Sequence, residues 1–188
     1  MKQALILLSG GVDSLCCAHF LHSQGFNINL LFVDYGQAAL EQERKAANKV
    51  AQHLKTPLSE ITFRTNTTYA EGELIGRNLF LYAAAVFSNT ITNGIVASGI
   101  HSGTQYFDCS DNFHQALSRL LADMTDGKIE AFTPFLSWSK VAVYKYALEN
   151  NLPLGLTYSC ESNSTLPCGE CLSCQDRLML QNLQKNVS

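Results

Sequence analysis

The chain has 188 residues, of which 46% are hydrophobic and 15% are charged, enough apolar material for one compact domain with its own core. Its formal net charge of −3 argues against a general nucleic-acid or membrane-surface binder. The first apolar run ends after Leu8, too early for a signal peptide, and no stretch approaches the roughly 20 apolar residues of a membrane span. These features predict a cytoplasmic protein with no membrane partner.

Patterns typical of strands and helices alternate along the chain. Short apolar runs predict strands at 3–8, 29–34, 58–63, 94–99 and 129–133. Helical spacing predicts helices at 14–23, 38–54, 77–90, 113–124, 139–150 and 178–184, and a polar loop is predicted at 65–72. This order predicts an α/β fold, a doubly wound, Rossmann-like parallel sheet with helices on both faces. The composition changes near Asn151, so we expect a main domain over 1–150 and a small segment over 151–188 packed on it.

The stretch "SGGVDS", residues 9–14, lies between the first predicted strand and the first predicted helix. Ligands collect at the carboxyl ends of parallel strands, and glycines let the backbone approach them while the helix N-terminus attracts anions. Ser9 and Ser14 add hydroxyl donors, and Asp13 either holds a Mg²⁺ that bridges phosphates or caps the helix. We therefore expect a phosphate-binding loop. The alternative is a plain Gly-Gly turn, because the glycine spacing fits neither the dinucleotide fingerprint nor the P-loop.

Four of the seven cysteines are concentrated near the C-terminus: Cys160, Cys168, Cys171 and Cys174. The run "CGECLSC" holds two consecutive Cys-x-x-Cys steps, and this spacing is typical of a tetrahedral Zn²⁺ site. Four protein ligands leave no open position for water, so we expect one structural zinc per chain. An iron–sulfur cluster and reactive redox thiols are the two alternatives.

The loop "SGGVDS" after a first hydrophobic strand resembles the pyrophosphate loop of the N-type ATP pyrophosphatases, whose fold is called adenine nucleotide alpha hydrolase-like. Members of that family cleave ATP between the α- and β-phosphates and adenylate a substrate oxygen. The resemblance implies that ATP binds here and that Asp13 holds the accompanying Mg²⁺. The implied ATP-binding residues are Leu8, Ser9, Gly10, Gly11, Val12, Asp13, Ser14, Leu15, Tyr35 and Gln37.

Four further segments resemble one branch of that family, the 7-cyano-7-deazaguanine synthases. They are "FVDYGQ" at 32–37, "GRNLFLYAAA" at 76–85, "TPFLSWSK" at 133–140 and the cysteine-rich stretch at 159–177, so the resemblance covers nearly the whole chain. It implies that ATP adenylates 7-carboxy-7-deazaguanine, that ammonia displaces AMP to give an amide, and that a second ATP converts the amide into a nitrile. Structural zinc, Mg²⁺ with ATP and a homodimer are implied as well.

The same resemblance implies the roles of individual side chains. The implied catalytic residues are Asp13, Ser14 and Arg77, and the implied substrate-binding residues are Gly76, Arg77, Asn78, Tyr106, Asp108 and Lys140. An arginine at a helix start can pair with a phosphate or a carboxylate, although Arg77 and Lys140 also fit ordinary surface positions. His101 follows a predicted strand end, where ligands bind, but a lone histidine is more often incidental.

The chain departs from the family pattern in two places. It is shorter between Phe63 and Gly76. Within "GIHSGTQYFDCSDNF", residues 99–113, Phe107 replaces a proline, Ser110 an arginine and Ser102 the first aspartate. A hydroxyl cannot replace a carboxylate that hydrogen-bonds a guanine-like edge without changing recognition.

These departures leave other functions open. The chain could be a divergent paralogue that adenylates a different carboxylate or joins a deazaguanine acid to another amine, as in some bacterial defence systems. It could also be an inactive nucleotide-binding zinc module. A tRNA-thiolating pyrophosphatase fits less well, because neither a catalytic cysteine pair nor a basic RNA-binding domain is evident.

Overall fold

The computed structural model of the chain describes residues 2–64, 69, 74–103 and 106–185, except the side chains of 183–185. Within these residues, five strands form a single parallel sheet in the order β3-β2-β1-β4-β5. The strands are β1 Gln3–Leu7, β2 Asn27–Asp34, β3 Leu58–Thr62, β4 Gly94–Ala97 and β5 Ile129–Phe132. The helices are α1 Val12–Ser23, α2 Leu40–Leu54, α3 Arg77–Phe87, α4 Asp111–Met124, α5 Lys140–Glu149 and α6 Leu172–Lys185. Short 3-10 turns lie at Phe107–Cys109 and Leu154–Leu156.

Strand β1 is the centre of the sheet, and it is buried on both sides. Side chains alternate across a strand, so Ala4, Ile6 and Leu8 pack with α1, α2 and α5. Leu5 and Leu7 point the other way and pack with α3 and α4. This double burial explains why the first strand is a continuous apolar run instead of an alternating one. The predicted doubly wound, Rossmann-like α/β fold is confirmed.

The strand order reverses at β1, because the chain first adds β2 and β3 on one side and later β4 and β5 on the other. Leu5 pairs with Asn29 of β2 and with Val96 of β4. In open parallel sheets the crevice at such a switch point is where ligands bind. The segments that follow β1, β2 and β4 line this crevice, together with residues at the starts of α3 and α5.

The predicted strands and helices are found, with shifts at their ends. The largest difference is α6, which begins at Leu172 and not at 178, so that Cys174 lies within the helix. Cysteines used as ligands interrupt the apolar spacing that reveals a helix, and this explains why its first turns were missed. The predicted loop at 65–72 lies outside the described residues apart from Tyr69. The division into 1–150 and 151–188 stays a prediction. No helix within the described residues is both long and apolar enough to cross a membrane.

Candidate active site and metal centre

Residues 9–14, called here the glycine turn, form the turn after β1 and the start of α1. Gly10 has a φ of +83°, and a Cβ at this position would lie 2.7 Å from the carbonyl oxygen of Glu43 and 2.8 Å from the amide nitrogen of Ala47. Helix α2 therefore packs so closely against the turn that only glycine fits. The turn is held rigidly by its neighbour, as a cradle for a ligand requires.

Gly11 occupies the N-cap position of α1, and no side chain caps the helix there. Asp13 lies in the first turn instead, so the alternative in which Asp13 is the helix cap is wrong. The Ser14 hydroxyl donates to the carbonyl oxygen of Gly11 at 3.0 Å, and the Ser9 hydroxyl donates to Ser14 at 3.3 Å. Two hydroxyls and the positive end of α1 thus face one place, which favours an anionic ligand.

The segment after β4 runs directly against the first turn of α1. A Cβ at Gly99 would lie 2.5 Å from the carbonyl oxygen of Asp13, so a side chain is excluded there. Two residues later, the Nε2 atom of His101 is 3.6 Å from the Oδ2 atom of Asp13. His101 is only 5% exposed. The two segments that flank the switch point therefore bring a carboxylate and an imidazole together.

The end of β2 and the start of α2 supply a second, buried wall. Gln37 donates from Nε2 to the carbonyl oxygen of Val33 at 3.2 Å and to Glu43 at 3.0 Å, and it accepts the amide of Tyr35 at 3.0 Å. Burial raises the pKa of the Glu43 carboxyl, and the hydrogen bond from Gln37 and the charge of Arg77 oppose that rise. Burial likewise raises the pKa of Tyr35, against the nearby Arg77 guanidinium. Arg77 is thus a cation facing a partly apolar wall.

The start of α3 is held by a residue of the segment 99–113, the segment that departs from the family pattern and is called here the altered segment. Asn78 donates its backbone amide to Oδ2 of Asp108 at 3.1 Å and its side-chain Nδ2 to the carbonyl oxygen of Asp108 at 3.0 Å. Gly76 supplies the left-handed backbone, with φ +78°, that precedes the helix. Asp108 is therefore a buried partner of α3 in this structure, and it holds Arg77 in place through the neighbouring residue.

Lys140 begins α5, where Ser139 caps the helix by accepting the amide of Ala142 at 3.2 Å. The Nζ atom of Lys140 lies 2.7 Å from Oδ2 of Asp176 on α6. Lys140 faces the same crevice as the glycine turn. Lys140 therefore forms an ion pair with Asp176 and is also close enough to the crevice to attract an anion bound there.

The four C-terminal cysteines form a metal-binding cluster, in which the Sγ atoms of Cys160, Cys168, Cys171 and Cys174 all lie within 4.8 Å of one another. Burial alone would raise the pKa of Cys160, but hydrogen bonds from the Cys168 and Ser162 amides lower it to about 6. Burial and the neighbouring sulfurs raise the pKa of Cys174 to about 12. Four thiolates this close repel one another, so the donor set fits a bound cation that neutralises them.

The segment that carries these cysteines, called here the cysteine segment (157–177), is tied to the glycine turn. The amide of Tyr158 donates to the carbonyl oxygen of Gly10 at 3.0 Å. Oδ1 of Asn163 accepts the amides of Glu41 and Gln42 at the start of α2, at 3.1 and 3.3 Å. Arg177 donates to Thr157, Ser159 and Leu154. The cysteine segment is therefore joined by hydrogen bonds both to the glycine turn and to the helix that packs against it.

The crevice between these elements is a cavity of about 330 Å³, which is within the range of small-molecule sites. The predicted site residues that line it are Leu8, Ser9, Gly11, Val12, Asp13, Ser14, Tyr35, Gln37, Arg77, Asn78 and Lys140. Gly10 and Leu15 lie behind this lining, and Gly76, Tyr106 and Asp108 also stand outside it. The roles of all these residues in ligand binding, inside and outside the lining, stay predictions.

Several lining residues were not expected from the sequence, namely Glu43, Ser98, Tyr144, Tyr158, Ser159, Ser173 and Arg177. Tyr158 and Ser159 come immediately before Cys160, and this adjacency is the signal that could have revealed them. Glu43 lies on α2, the helix that packs against Gly10. The side of α2 that faces the glycine turn could therefore have indicated that Glu43 lines the cavity. His101 lines the cavity too.

Comparison with known proteins decides the family. A sequence model of the family described as queuosine biosynthesis protein QueC matches residues 3–78 and 66–184 of this chain. The chain belongs to the QueC family. A QueC family relative, the 7-cyano-7-deazaguanine synthase of Methanoculleus marisnigri, is 31% identical over 205 residues, covering 94% of this chain and 92% of the relative.

Two other likenesses extend the comparison. The 7-cyano-7-deazaguanine synthase 2 of Sulfurisphaera tokodaii is 30% identical over 208 residues, but this QueC family chain spans only 45% of that relative's length. Among solved structures, U34-tRNA thiolase NcsA from Methanococcus maripaludis with its 4Fe-4S cluster matches 99% of this chain and 66% of its own, with a TM-score of 0.51 at 15% identity. The second likeness shows a shared fold.

Proposed function

We propose that this QueC family protein is an ATP-dependent enzyme that converts 7-carboxy-7-deazaguanine and ammonia into 7-cyano-7-deazaguanine. The observation that carries the proposal is the cavity at the switch point, where the glycine turn, Arg77 and Asp13 meet. A carboxylate is a poor electrophile, and adenylation turns one of its oxygens into a leaving group. Chemistry of this kind needs phosphate binding and charge neutralisation more than a protein nucleophile.

The side chains divide this work between them. The amides of the glycine turn, the N-terminus of α1 and the Ser9 and Ser14 hydroxyls would bind the β- and γ-phosphates of ATP. Asp13 would hold Mg²⁺, which neutralises phosphate charge when bound. Arg77 faces the cavity and is better suited than Lys140 to orient the substrate carboxylate, because Lys140 already has Asp176 as a partner.

The acyl adenylate is then attacked by ammonia at its carbonyl carbon, AMP leaves, and an amide remains. A second ATP adenylates the amide oxygen, each adenylation releases pyrophosphate, and loss of AMP with two N–H protons leaves the nitrile. We further propose zinc as the cation in the cysteine cluster, with a structural role. The cytoplasmic location and the homodimer stay predictions.

A second candidate is a paralogue with a different acid or acceptor amine, and the altered segment 99–113 favours it. The hydroxyl of Ser102, which replaces the family aspartate, donates to the carbonyl oxygen of Trp138 at 2.7 Å. Ser110, which replaces the arginine, caps α4 by accepting the amide of Phe113 at 3.2 Å. Both replacements are engaged in local structure, so neither restores the lost contact to a guanine-like edge.

One assay separates these candidates. The protein is incubated with ATP, Mg²⁺, ammonium and 7-carboxy-7-deazaguanine, and AMP and the nitrile are measured by mass spectrometry. Stoichiometric nitrile, with two AMP released for each, supports the synthase. Release of AMP with another acid but no nitrile from this one supports the paralogue. Absence of AMP with every acid in a panel contradicts both and favours an inactive nucleotide-binding module.

A further inference from the structure

His101 is the imidazole that faces the glycine turn, and its surroundings fix its orientation. It lies just after β4, where it forms a parallel bridge with Phe135, and it is almost fully buried. Its Nδ1 atom accepts the backbone amide of Gly103 at 3.0 Å. A Cβ at Gly103 would lie 2.9 Å from that ring, so the loop closes tightly over it. The ring therefore has little freedom to rotate.

This hydrogen bond also decides the tautomer. Because Nδ1 accepts a hydrogen bond from the Gly103 amide, a neutral His101 carries its own proton on Nε2. That atom lies 3.6 Å from Oδ2 of Asp13, slightly beyond hydrogen-bond distance. The imidazole therefore presents a donor to the carboxylate that we assign to Mg²⁺.

The Asp13 carboxylate is partly exposed, and a carboxylate in the first turn of a helix has more than one possible partner. The side chain is 35% exposed and lies in the first turn of α1, where free backbone amides and solvent both attract it. An aspartate in this position can turn back onto the helix end instead of facing the cavity. A fixed donor on the β4 side favours the rotamer that faces the crevice.

We propose that His101 is a positioning residue that holds the Asp13 carboxylate in the orientation needed to bind the divalent cation of a metal–nucleotide complex. The inference rests on the proposed function only in assuming that such a complex binds at the glycine turn. It assigns His101 no proton transfer and no direct contact with the reacting atoms. Its effect passes entirely through Asp13.

The test measures cation affinity and not turnover. Mn²⁺ replaces Mg²⁺, a non-hydrolysable ATP analogue replaces ATP, and the Kd for Mn²⁺ is obtained from electron paramagnetic resonance titrations. The variants are His101→Leu, which removes both ring nitrogens, and His101→Gln, which keeps an N–H donor at a similar reach. Each is also made in an Asp13→Asn background, and all are checked by thermal melting.

We expect His101→Leu to weaken Mn²⁺ binding about five- to tenfold, less than loss of a full hydrogen bond to a charged group would, because the contact between His101 and Asp13 is longer than a hydrogen bond. His101→Gln should restore most of the affinity. In the Asp13→Asn background, His101→Leu should change the Kd for Mn²⁺ by less than about twofold, because the carboxylate that His101 positions is absent. If His101→Leu does not fold, His101→Met serves as the apolar variant.

The outcomes that overturn the inference are distinct from those that overturn the proposed function. Equal weakening by His101→Leu in both backgrounds, or no weakening in either, contradicts the positioning role while nucleotide binding itself stands. If His101→Gln is as weak as His101→Leu at equal melting temperatures, the donor has no role. If the wild type binds no metal–nucleotide complex at all, both the proposed function and the inference fail.

Discussion

The glycine turn and the cysteine segment both line the same cavity, but they are held by different means. The turn is fixed by regular structure: β1 precedes it, α1 follows it, and α2 presses on Gly10. The cysteine segment has little regular structure before α6, and side chains and four sulfurs hold it in place. The first region depends on backbone geometry, whereas the second depends on side-chain contacts and on four sulfurs that are placed to hold a cation. Substitutions in the two regions should therefore fail in different ways.

The largest effect is expected from Gly10→Ala. A Cβ there meets backbone atoms of α2 at 2.7 and 2.8 Å, and the positive φ adds strain, so we expect a loss of more than about 3 kcal/mol in the free energy of unfolding. Denaturant unfolding followed by circular dichroism measures the loss. The matched control is Gly25→Ala, with φ +80° and open space around it, which should cost about 1–2 kcal/mol. Equal losses in the two variants would show that α2 does not press on the turn.

Asp13→Asn should remove function and leave the fold intact. The amide is isosteric with the carboxylate but is a poor ligand for Mg²⁺, so we expect AMP release to fall by at least about a thousandfold. AMP is measured by mass spectrometry, and the melting temperature should change by no more than a few degrees. Asp111→Asn makes the same change in the first turn of α4, and its AMP release should match the wild type. Full activity in Asp13→Asn would remove this carboxylate from the mechanism.

Cys171→Ser tests the second region. A serine hydroxyl is a weak ligand, so we expect the metal to be lost and the free energy of unfolding to fall by about 3 kcal/mol, which lowers the melting temperature by roughly 6–12 °C. Elemental analysis of the purified protein gives both the identity and the amount of metal. If the wild-type protein contains iron and absorbs visible light, the cysteines hold an iron–sulfur cluster and not zinc. Unchanged metal content in the variant would refute the four-ligand site.

How much was predictable from the sequence follows the same division. Apolar runs and helical spacing predict all five described strands, and the glycine turn is found where the first run ends, because strands in a parallel sheet are apolar on both faces and helices bury one face. The cysteine spacing predicts the metal cluster. The contacts between regions were missed, among them Tyr158 on Gly10 and Lys140 on Asp176, since they join residues 148 and 36 positions apart and leave no local pattern.

The replacements in segment 99–113 teach a related lesson. From the sequence, Ser102 and Ser110 are seen only as lost contacts to a substrate. The structure gives each a local task, one on the carbonyl oxygen of Trp138 and one as the cap of α4. A short polar side chain next to a helix start or a turn tends to bond the nearby backbone. Its identity therefore reports local structure as readily as substrate recognition.

The smallest effect is expected from Asn163→Ala, which asks whether the two regions are coupled. Oδ1 of Asn163 satisfies the first amides of α2, the helix that presses on Gly10. Loss of this cap should cost about 1 kcal/mol in the free energy of unfolding. Asn48→Ala removes an exposed amide from the same helix and should stay within about 0.5 kcal/mol of the wild type.

If the cysteine segment braces the nucleotide site through α2, Asn163→Ala should also weaken binding of an ATP analogue by about two- to threefold at full metal content. Calorimetric titration measures this, and a stability loss without weaker binding would mean that the metal centre supports the fold but not the cavity.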